Sequence, residues 1–400
     1  MNDQVYAPLR IALLTNDIAP YSIGMGIAEL YGTLAEGLGR AGHHVTVIGI
    51  DVSSGQLPKP SWGEIISLPT PARIPFVPRS LQNAFIVARE LLYRRDSFDV
   101  VECASWPGLS AFVLNARLPT VVRLITSAVV DSDIGRVGMV TQFALEWLAV
   151  RRATLVFVST DYIREKAQTL YRCNFKSVIK IPLGIEDIRG AKLEKKQDAI
   201  VTFLVIAAAT KRKGTDVLLR ALEGAAKRTD AFKVTLIGPT YATYDGYIEA
   251  NPELEPVWRN VVSTLGGRLD VRHGVSEEEK MRSLEQADYL LMPSRSESFG
   301  IPVIEAMRSA VPVISSRGGA LSEVSGASDQ NLFYDNTEDF EELARVLVDA
   351  IARGPRGEDR RRDAARQAYE RNFTSEKFVE RSVLGYRKAI VMKPKVRIRT

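Results

Sequence analysis

Cysteine and histidine are scarce in this chain of 400 residues, which contains two cysteines and three histidines. Two cysteines are too few for a disulfide framework or a cysteine-based zinc site. The chain also lacks an uninterrupted apolar stretch of about 18 residues, which a membrane-spanning helix requires, and residues 1–8 are polar rather than signal-like. We therefore expect a cytoplasmic protein without a membrane span or secretory signal.

A marked excess of charge of either sign is also absent. The formal net charge is +5, and residues 1–180 contain 18 Lys and Arg against 15 Asp and Glu, so the two halves are similarly charged. Proteins that bind nucleic acid usually concentrate positive charge on one domain or face. Repeats of about 20–50 residues are missing too, which argues against a solenoid or propeller. We predict no nucleic-acid partner.

Short apolar runs and amphipathic segments alternate along the chain instead. This alternation predicts parallel β-sheets covered by helices on both faces, the doubly wound α/β architecture. Ligands of such sheets bind beyond the carboxyl ends of the strands. The pattern predicts strands at 10–15, 202–206 and 233–238, a turn that leads into a further strand at 42–48, helices at 28–40 and 216–226, and a basic turn at 211–214.

The most informative segment is residues 293–313, PSRSESFGIPVIEAMRSAVPV. Pro293 ends a short buried strand, and Gly300 marks the start of a helix, since the proline two residues later is tolerated in a first helical turn. Unpaired N–H groups and the positive end of the helix dipole make such a start an anion site. Glu305 lies about one turn inside this helix, and Glu297 lies on the loop before it. Two glutamates at this spacing are, by themselves, equally compatible with ordinary surface positions.

With its flanking strands, this segment resembles the nucleotide-sugar motif of the retaining GT-B glycosyltransferases. This "glycosyl transferases group 1" family contains bacterial mannosyl- and glucosyltransferases and sucrose synthases. The opening strand, glycine loop and helix of the chain are similar to the same family, as is the basic turn at 211–214. The resemblance implies two Rossmann-like doubly wound domains that face a cleft.

The resemblance also implies an activity. Members of the family are hexosyltransferases that retain anomeric configuration and need neither a metal nor another cofactor. The donor would be a UDP- or GDP-sugar, and the acceptor a glycan, a lipid-linked molecule or a small molecule, in bacterial surface polysaccharide or glycolipid assembly.

The length of the chain favours two domains, since single cores rarely exceed about 250–300 residues. The segment 181–186 is similar to the hinge of the family. We place an acceptor-binding domain at 1–183 and a nucleotide-sugar-binding domain at 184–374, with a C-terminal helix at 375–400 that crosses back onto the first domain.

The resemblance assigns roles to individual residues. Lys213 matches the diphosphate-binding lysine and Glu297 would hold the transferred sugar, so we predict both to be catalytic. Glu305 would accept hydrogen bonds from the ribose, and His273 would be a loop residue beside the base. The predicted donor-binding residues are Gly24, Gly26, Arg212, Lys213, His273, Gly274, Ser298, Phe299, Gly300, Ile301 and Glu305.

The acceptor is predicted to bind loops of the first domain, at Trp106, Thr126 and Ser127. Trp106 could stack on a sugar face, although a single tryptophan beside a proline is also compatible with a core position. No metal ligands are predicted.

Three positions depart from the family pattern. Ala208 stands where the family commonly has an arginine, Ile125 stands where a histidine approaches the sugar, and Met25 replaces the first of two adjacent glycines. Losing one charged contact to a transition state costs on the order of 2–4 kcal/mol.

Three interpretations of the function therefore stay open. The protein is an active transferase in which Lys211 or Arg212 supplies the cation, a non-catalytic GT-B partner or glycan-binding subunit of a glycosyltransferase complex, or another nucleotide-using GT-B enzyme such as a phosphorylase or epimerase.

One segment points to a membrane surface. Residues 80–98 place apolar side chains among Arg89, Arg94 and Arg95, and in this family a basic amphipathic helix often lies on an anionic bilayer. This predicts peripheral association with the inner face of the plasma membrane. The alternative is a helix that packs its apolar side on the sheet and leaves its charges in water.

Overall fold

The structure is a computed structural model that describes residues 7–21, 26–52, 59–105, 108–113, 118–125, 136–172, 177–188, 200–329, 331–355 and 359–392. The chain divides into two compact units, Met1–Glu186 with Ser375–Thr400, and Asp187–Thr374. The division follows Glu186, three residues beyond the boundary at 183 that the sequence predicts.

The described part of the first unit is a parallel sheet with helices packed against it. Its strands are β1 (Arg10–Leu14), β2 (His44–Ile50), β3 (Gly63–Leu68), β4 (Val100–Ala104), β5 (Thr120–Leu124), β6 (Leu155–Val158) and β7 (Val178–Lys180). Its helices up to β7 are α1 (Ile27–Arg40), α2 (Arg79–Tyr93), a 3₁₀ turn (Arg95–Ser97), α3 (Arg136–Arg152) and α4 (Asp161–Tyr171). The strand order is β3-β2-β1-β4-β5-β6-β7.

The second unit repeats this architecture. Its strands are β8 (Val201–Ile206), β9 (Phe232–Gly238), β10 (Leu269–His273), β11 (Tyr289–Met292), β12 (Val313–Ser316) and β13 (Leu332–Tyr334). Its helices are α5 (Thr215–Ala226), α6 (Tyr244–Ala250), α7 (Glu255–Leu265), α8 (Glu277–Gln286), α9 (Ile301–Arg308), α10 (Leu321–Ser325), α11 (Phe340–Ala352) and α12 (Asp359–Asn372), with 3₁₀ turns at Pro252–Leu254 and Gly266–Arg268. The strand order is β10-β9-β8-β11-β12-β13, and every pairing is parallel.

Burial explains why the strands read as unbroken apolar runs. Every residue of β6 and β11 is buried, since helices cover both faces of a doubly wound sheet. The predicted elements differ from the observed ones mainly at their ends. The turn and strand predicted at 42–48 lead into the strand His44–Ile50, which runs two residues further, and the helix predicted at 216–226 begins at Thr215.

The C-terminal helix α13 (Ser375–Met392) belongs to the first unit. It meets the sheet at a buried charge cluster. The Arg123 guanidinium donates to both oxygens of Glu102, at 2.7 and 2.9 Å, and to Ser382 Oγ at 2.9 Å. The Tyr386 hydroxyl donates to Glu102 Oε2 at 2.6 Å. Burial by itself would lower the pKa of Arg123, but the attraction and hydrogen bonds of Glu102 outweigh it, so the pKa is raised and the guanidinium stays charged.

The helix α2 only partly matches its predicted bounds. It ends at Tyr93, so Arg95 lies outside it, in the 3₁₀ turn. Leu91 is fully buried and packs in the core with Val87, which supports the interpretation of a helix packed on the sheet. Arg94 Nε donates a hydrogen bond to Glu90 Oε1 at 2.6 Å, so the charge of Arg94 is paired within the protein.

Candidate active site

Most of the predicted site residues that the structure describes lie at one edge of the second sheet, where its strands have their carboxyl ends. Arg212 and Lys213 follow β8, Glu297 follows the adjacent β11, and His273 ends β10, which is separated from β8 by β9. From β10 to β11 is three strand spacings, about 14 Å. This edge is therefore long enough for an elongated ligand.

The ion pair between Lys213 and Glu297 lies at the centre of this edge. Lys213 Nζ donates to Glu297 Oε1, and Ser294 Oγ donates to the same oxygen at 2.9 Å. The Lys213 side chain is 18% exposed and that of Glu297 is 8% exposed. Arg212 Nη1 lies 4.0 Å from Glu297 Oε2. The two residues predicted to be catalytic thus contact each other directly, with a second cation beside them.

Gly214 allows the lysine turn to approach the strand end. It has φ 70°, in the left-handed region, and a Cβ there would collide with the carbonyl oxygen of Pro293. A glycine avoids both the strain and the collision. The close approach brings Lys213 within reach of Glu297.

A pair of glycines shapes the loop that carries Glu297. Gly318 and Gly319 follow β12, and Gly319 has φ 63°. A Cβ on Gly318 would collide with the carbonyl oxygens of Ser294 and Arg295, and one on Gly319 would collide with the backbone of Glu297. The Ala320 N–H also donates to the Glu297 carbonyl at 2.8 Å. The glycine pair therefore lets two loops pack backbone against backbone.

The helix α9 begins at Ile301, between the Gly300 and Pro302 that predict its start, and Gly300 is its N-cap. Of the described backbone N–H groups, those of Phe299, Gly300 and Ile301 donate no hydrogen bond within the protein. Unpaired donors at the positive end of a helix form an anion site.

Glu305 lies inside α9 and meets an unpredicted partner. Lys280 Nζ, from α8, donates to Glu305 Oε1 at 2.8 Å and lies 2.7 Å from Glu277. Burial would lower the pKa of the Lys280 ammonium, but the attraction of Glu305 and the hydrogen bonds to Glu277 and Glu305 outweigh it and raise the pKa to about 12. Lys280 is therefore a permanent cation that orients the buried Glu305 carboxylate.

His273 is not the loop residue that the sequence predicted, because it is the last residue of β10. Its Nε2 accepts a hydrogen bond from the Tyr244 N–H at 3.4 Å, so it helps to hold the start of α6. Gly274 follows it with φ 63°, close to Thr240. The loops after β9 and β10 therefore touch.

Several other predicted residues can be placed only in part. The buried Phe299 ring packs edge to face against Phe373, with ring centres 6.0 Å apart, so its contact with a ligand would be through its backbone. Ser298 is half-buried on the loop beside it. Gly26 is the N-cap of α1. The remaining predictions, Gly24, Trp106, Thr126 and Ser127, lie outside the described residues.

Arg295, Lys280 and the Gly318–Gly319 pair were not predicted. Arg295 lies within the motif itself, and two successive glycines after a buried strand are a signal that could have been recognised. Lys280 is 25 residues from Glu305 in sequence, and no local pattern connects them.

Comparison with known proteins agrees with this geometry. The family described as "Glycosyl transferases group 1" matches residues 185–371, and the "Glycosyl transferase 4-like domain" matches residues 26–184. The chain belongs to the group 1 glycosyltransferases. Its two units of parallel sheet have the GT-B fold, and its general activity is that of a glycosyltransferase.

Individual relatives have low sequence identity to this chain but match it over most of its length. The chain is 26% identical over 347 residues to an uncharacterized glycosyltransferase of Methanocaldococcus jannaschii, covering 79% of this chain and 82% of that protein. Sucrose-phosphate synthase from Thermosynechococcus elongatus is 18% identical, with a TM-score of 0.72 and coverage of 96% and 100% of the two chains. Anabaena HepE, solved in complex with UDP and glucose, is 16% identical, with a TM-score of 0.64 and coverage of 94% and 98%.

Proposed function

We propose that this protein is a retaining, metal-independent transferase that moves a hexose or related sugar from a UDP- or GDP-sugar. The acceptor would be a glycan, a lipid-linked molecule or a small molecule in bacterial surface polysaccharide or glycolipid assembly. The Lys213–Glu297 pair carries the proposal, because it joins a cation and a carboxylate from two loops at the edge where such sheets bind ligands. The UDP and glucose bound by HepE support a nucleotide-sugar donor.

The proposed reaction breaks the bond between the anomeric carbon and a diphosphate oxygen. The acceptor hydroxyl attacks from the face that the diphosphate leaves, forms the new C–O bond and passes its proton to a leaving oxygen, which retains the configuration. Negative charge grows on the diphosphate as the bond breaks. Lys213 and the unpaired N–H groups at the start of α9 would stabilise that charge, and Glu297 would accept hydrogen bonds from the transferred sugar.

The contacts of Arg212 bear on the missing arginine at Ala208. Arg212 Nη1 lies 3.4 Å from the carbonyl oxygen of Ser296 and 4.0 Å from Glu297 Oε2. Arg212, which lies beside Lys213 in the basic turn, thus brings a cation to the loop of Glu297, and the short side chain of Ala208 cannot supply one. This favours an active enzyme over a non-catalytic partner.

A thermal-shift panel of UDP- and GDP-sugars tests the proposal, followed by an assay of donor hydrolysis. A ligand that binds only the folded protein at a hundredfold excess over its Kd stabilises it by about 2.7 kcal/mol, or roughly 5–10 °C in Tm. We expect one donor class to give such a shift and slow release of UDP or GDP. Binding without release, even with an acceptor present, would favour a non-catalytic GT-B partner or glycan-binding subunit.

Glu305→Ala should weaken nucleotide binding by more than it lowers turnover of bound donor. Ribose contacts are made equally in the ground and transition states, so losing them raises Kd and leaves kcat nearly unchanged. Calorimetry with free UDP or GDP measures the affinity. Glu277→Ala is the matched control, since it removes the other carboxylate of Lys280 and should leave affinity intact. Unchanged nucleotide affinity in Glu305→Ala would remove the ribose assignment.

We further propose that the first unit associates with an anionic membrane surface through α2 and the loop before it. None of the helices in the described part of the chain has the length and apolar character of a membrane span. Phe76 in the loop is fully exposed, and Phe85 and Tyr93 of α2 are 61% and 83% exposed. Arg79 and Arg89 are exposed beside them. Exposed aromatic side chains among arginines suit the interface of an anionic bilayer.

Sedimentation with phosphatidylglycerol-containing vesicles tests the membrane proposal. Burial of one phenylalanine contributes about 1.5–3 kcal/mol, so Phe76→Ser with Phe85→Ser should weaken binding by roughly 10²-fold or more. Added salt should weaken it further, because screening reduces the attraction of arginines for anionic lipid. Val262→Ser, at an exposed position of α7, should change nothing. If the protein does not bind the vesicles, or if added salt does not weaken that binding, the membrane proposal is wrong and α2 has only a structural role.

A further inference from the structure

The guanidinium of Arg295 makes an unusually complete set of contacts. Its Nη1 donates to Asp216 Oδ1 and to the Lys211 carbonyl, each at 2.6 Å. Its Nη2 donates to Asp216 Oδ2 at 2.9 Å and to Glu338 Oε2 at 2.6 Å, and its Nε donates to Glu338 Oε1. All five N–H groups that an arginine possesses are used.

These contacts connect Arg295 to both ends of the turn that carries Lys213. The Lys211 carbonyl lies at the start of the turn, and Asp216 lies just after it, in the first turn of α5. The Arg295 N–H also donates to the Arg212 carbonyl at 2.8 Å. Arg295 itself is two residues before Glu297 on the other loop. One side chain therefore links the loop of Glu297 to the turn of Lys213.

Among the described residues, the Arg295 guanidinium pairs with Asp216 and Glu338 and makes no ion pair with Glu297, and its side chain is only 15% exposed. Lysine could not replace it, since an ammonium has three donors and lacks the planar fork that holds two carboxylates at once. A displacement of about 1 Å at a catalytic group can cost about 10²-fold in rate.

We propose that Arg295 is a positioning residue that sets the distance between Lys213 and Glu297 through its contacts with Asp216, Glu338 and the Lys211 carbonyl. This inference rests on the proposed function for its catalytic consequence. The geometric part, that the Lys213–Glu297 pair depends on Arg295, stands independently of any activity.

The kinetic test compares Arg295→Lys with wild type. We expect kcat for transfer to fall by about tenfold or more, with the Kd for free UDP or GDP changing by less than about threefold. In a Lys213→Ala background the same substitution should have little further effect on kcat, since it acts through Lys213. Full additivity of the two losses would overturn the proposal. Arg317→Lys is the matched control, because Arg317 follows the neighbouring strand and pairs with the exposed Asp335.

A stability test separates this inference from the proposed function. Lys213→Met and Glu297→Gln, singly and together, should shift Tm non-additively in the Arg295 protein and additively in Arg295→Lys. Equal non-additivity in both backgrounds would refute the positioning role. If wild type transfers no sugar, the proposed function fails, and this cycle still decides the role of Arg295. Should Arg295→Lys not fold, Glu338→Gln carries the same cycle, since Glu338 is 61% exposed and supplies two of the five acceptors.

Discussion

Replacing Lys213 with alanine should lower the turnover of donor by about 10²-fold or more. A single preorganised donor to developing charge is worth this much in other enzymes. The Lys213 side chain is mostly buried, so water cannot replace the ammonium without reorganising the site. The affinity for free UDP or GDP should change less, because the charge that Lys213 stabilises is largest in the transition state. Steady-state kinetics with calorimetry on the same variant measures both.

Two companion variants make the Lys213 result specific. Lys211→Ala removes an exposed cation of the same turn and should leave turnover within about twofold, as expected for a screened surface charge. Glu297→Gln keeps the size of the side chain and should slow transfer while leaving nucleotide affinity nearly unchanged. A silent Lys213→Ala, with wild type active, would mean that the site is not used as the family resemblance implies.

The second large effect is on stability rather than on catalysis. Arg123→Met should lower the free energy of unfolding of the first unit by about 3–5 kcal/mol, because removing one member of a buried ion pair leaves an uncompensated charge. Glu102 would stay fully buried with only Tyr386 donating to it among the contacts described above. Hydrogen exchange of the β4 and β5 amides should accelerate by about 10²-fold or more, since 1.4 kcal/mol corresponds to a factor of ten.

The comparison variants for Arg123 distinguish charge burial from loss of packing. Arg10 pairs with Asp99 at 2.8 Å, but its side chain is 48% exposed, so Arg10→Met should cost less than about 1 kcal/mol. Adding Glu102→Leu to Arg123→Met removes both charges and should recover much of the loss. Exchange rates in Arg123→Met that match wild type would show that the cluster does not hold α13 to the sheet.

Much of the fold could be predicted from the sequence, because strands that are buried on both faces have continuous apolar sequences. The run that became β11, the proline after it and the helix starting at Ile301 are local features, each set by neighbouring residues. The same locality explains the errors. The loop prediction for His273 is wrong because exposed residues on either side of it resemble a loop rather than the end of an edge strand. The predicted end of α2 lies beyond Tyr93 because basic residues continue past the helix.

The sequence alone therefore determined the α/β architecture, the family and the candidate pair Lys213 and Glu297. Only the tertiary structure decided which side chains meet. Lys213 and Glu297 are 84 residues apart, and Arg295 and Asp216 are 79 apart. They touch because β8 and β11 are neighbours in the sheet. A local pattern specifies which face of an element is buried and where it ends, but the order of strands arises from packing of the whole domain. Ion pairs between loops depend on that order.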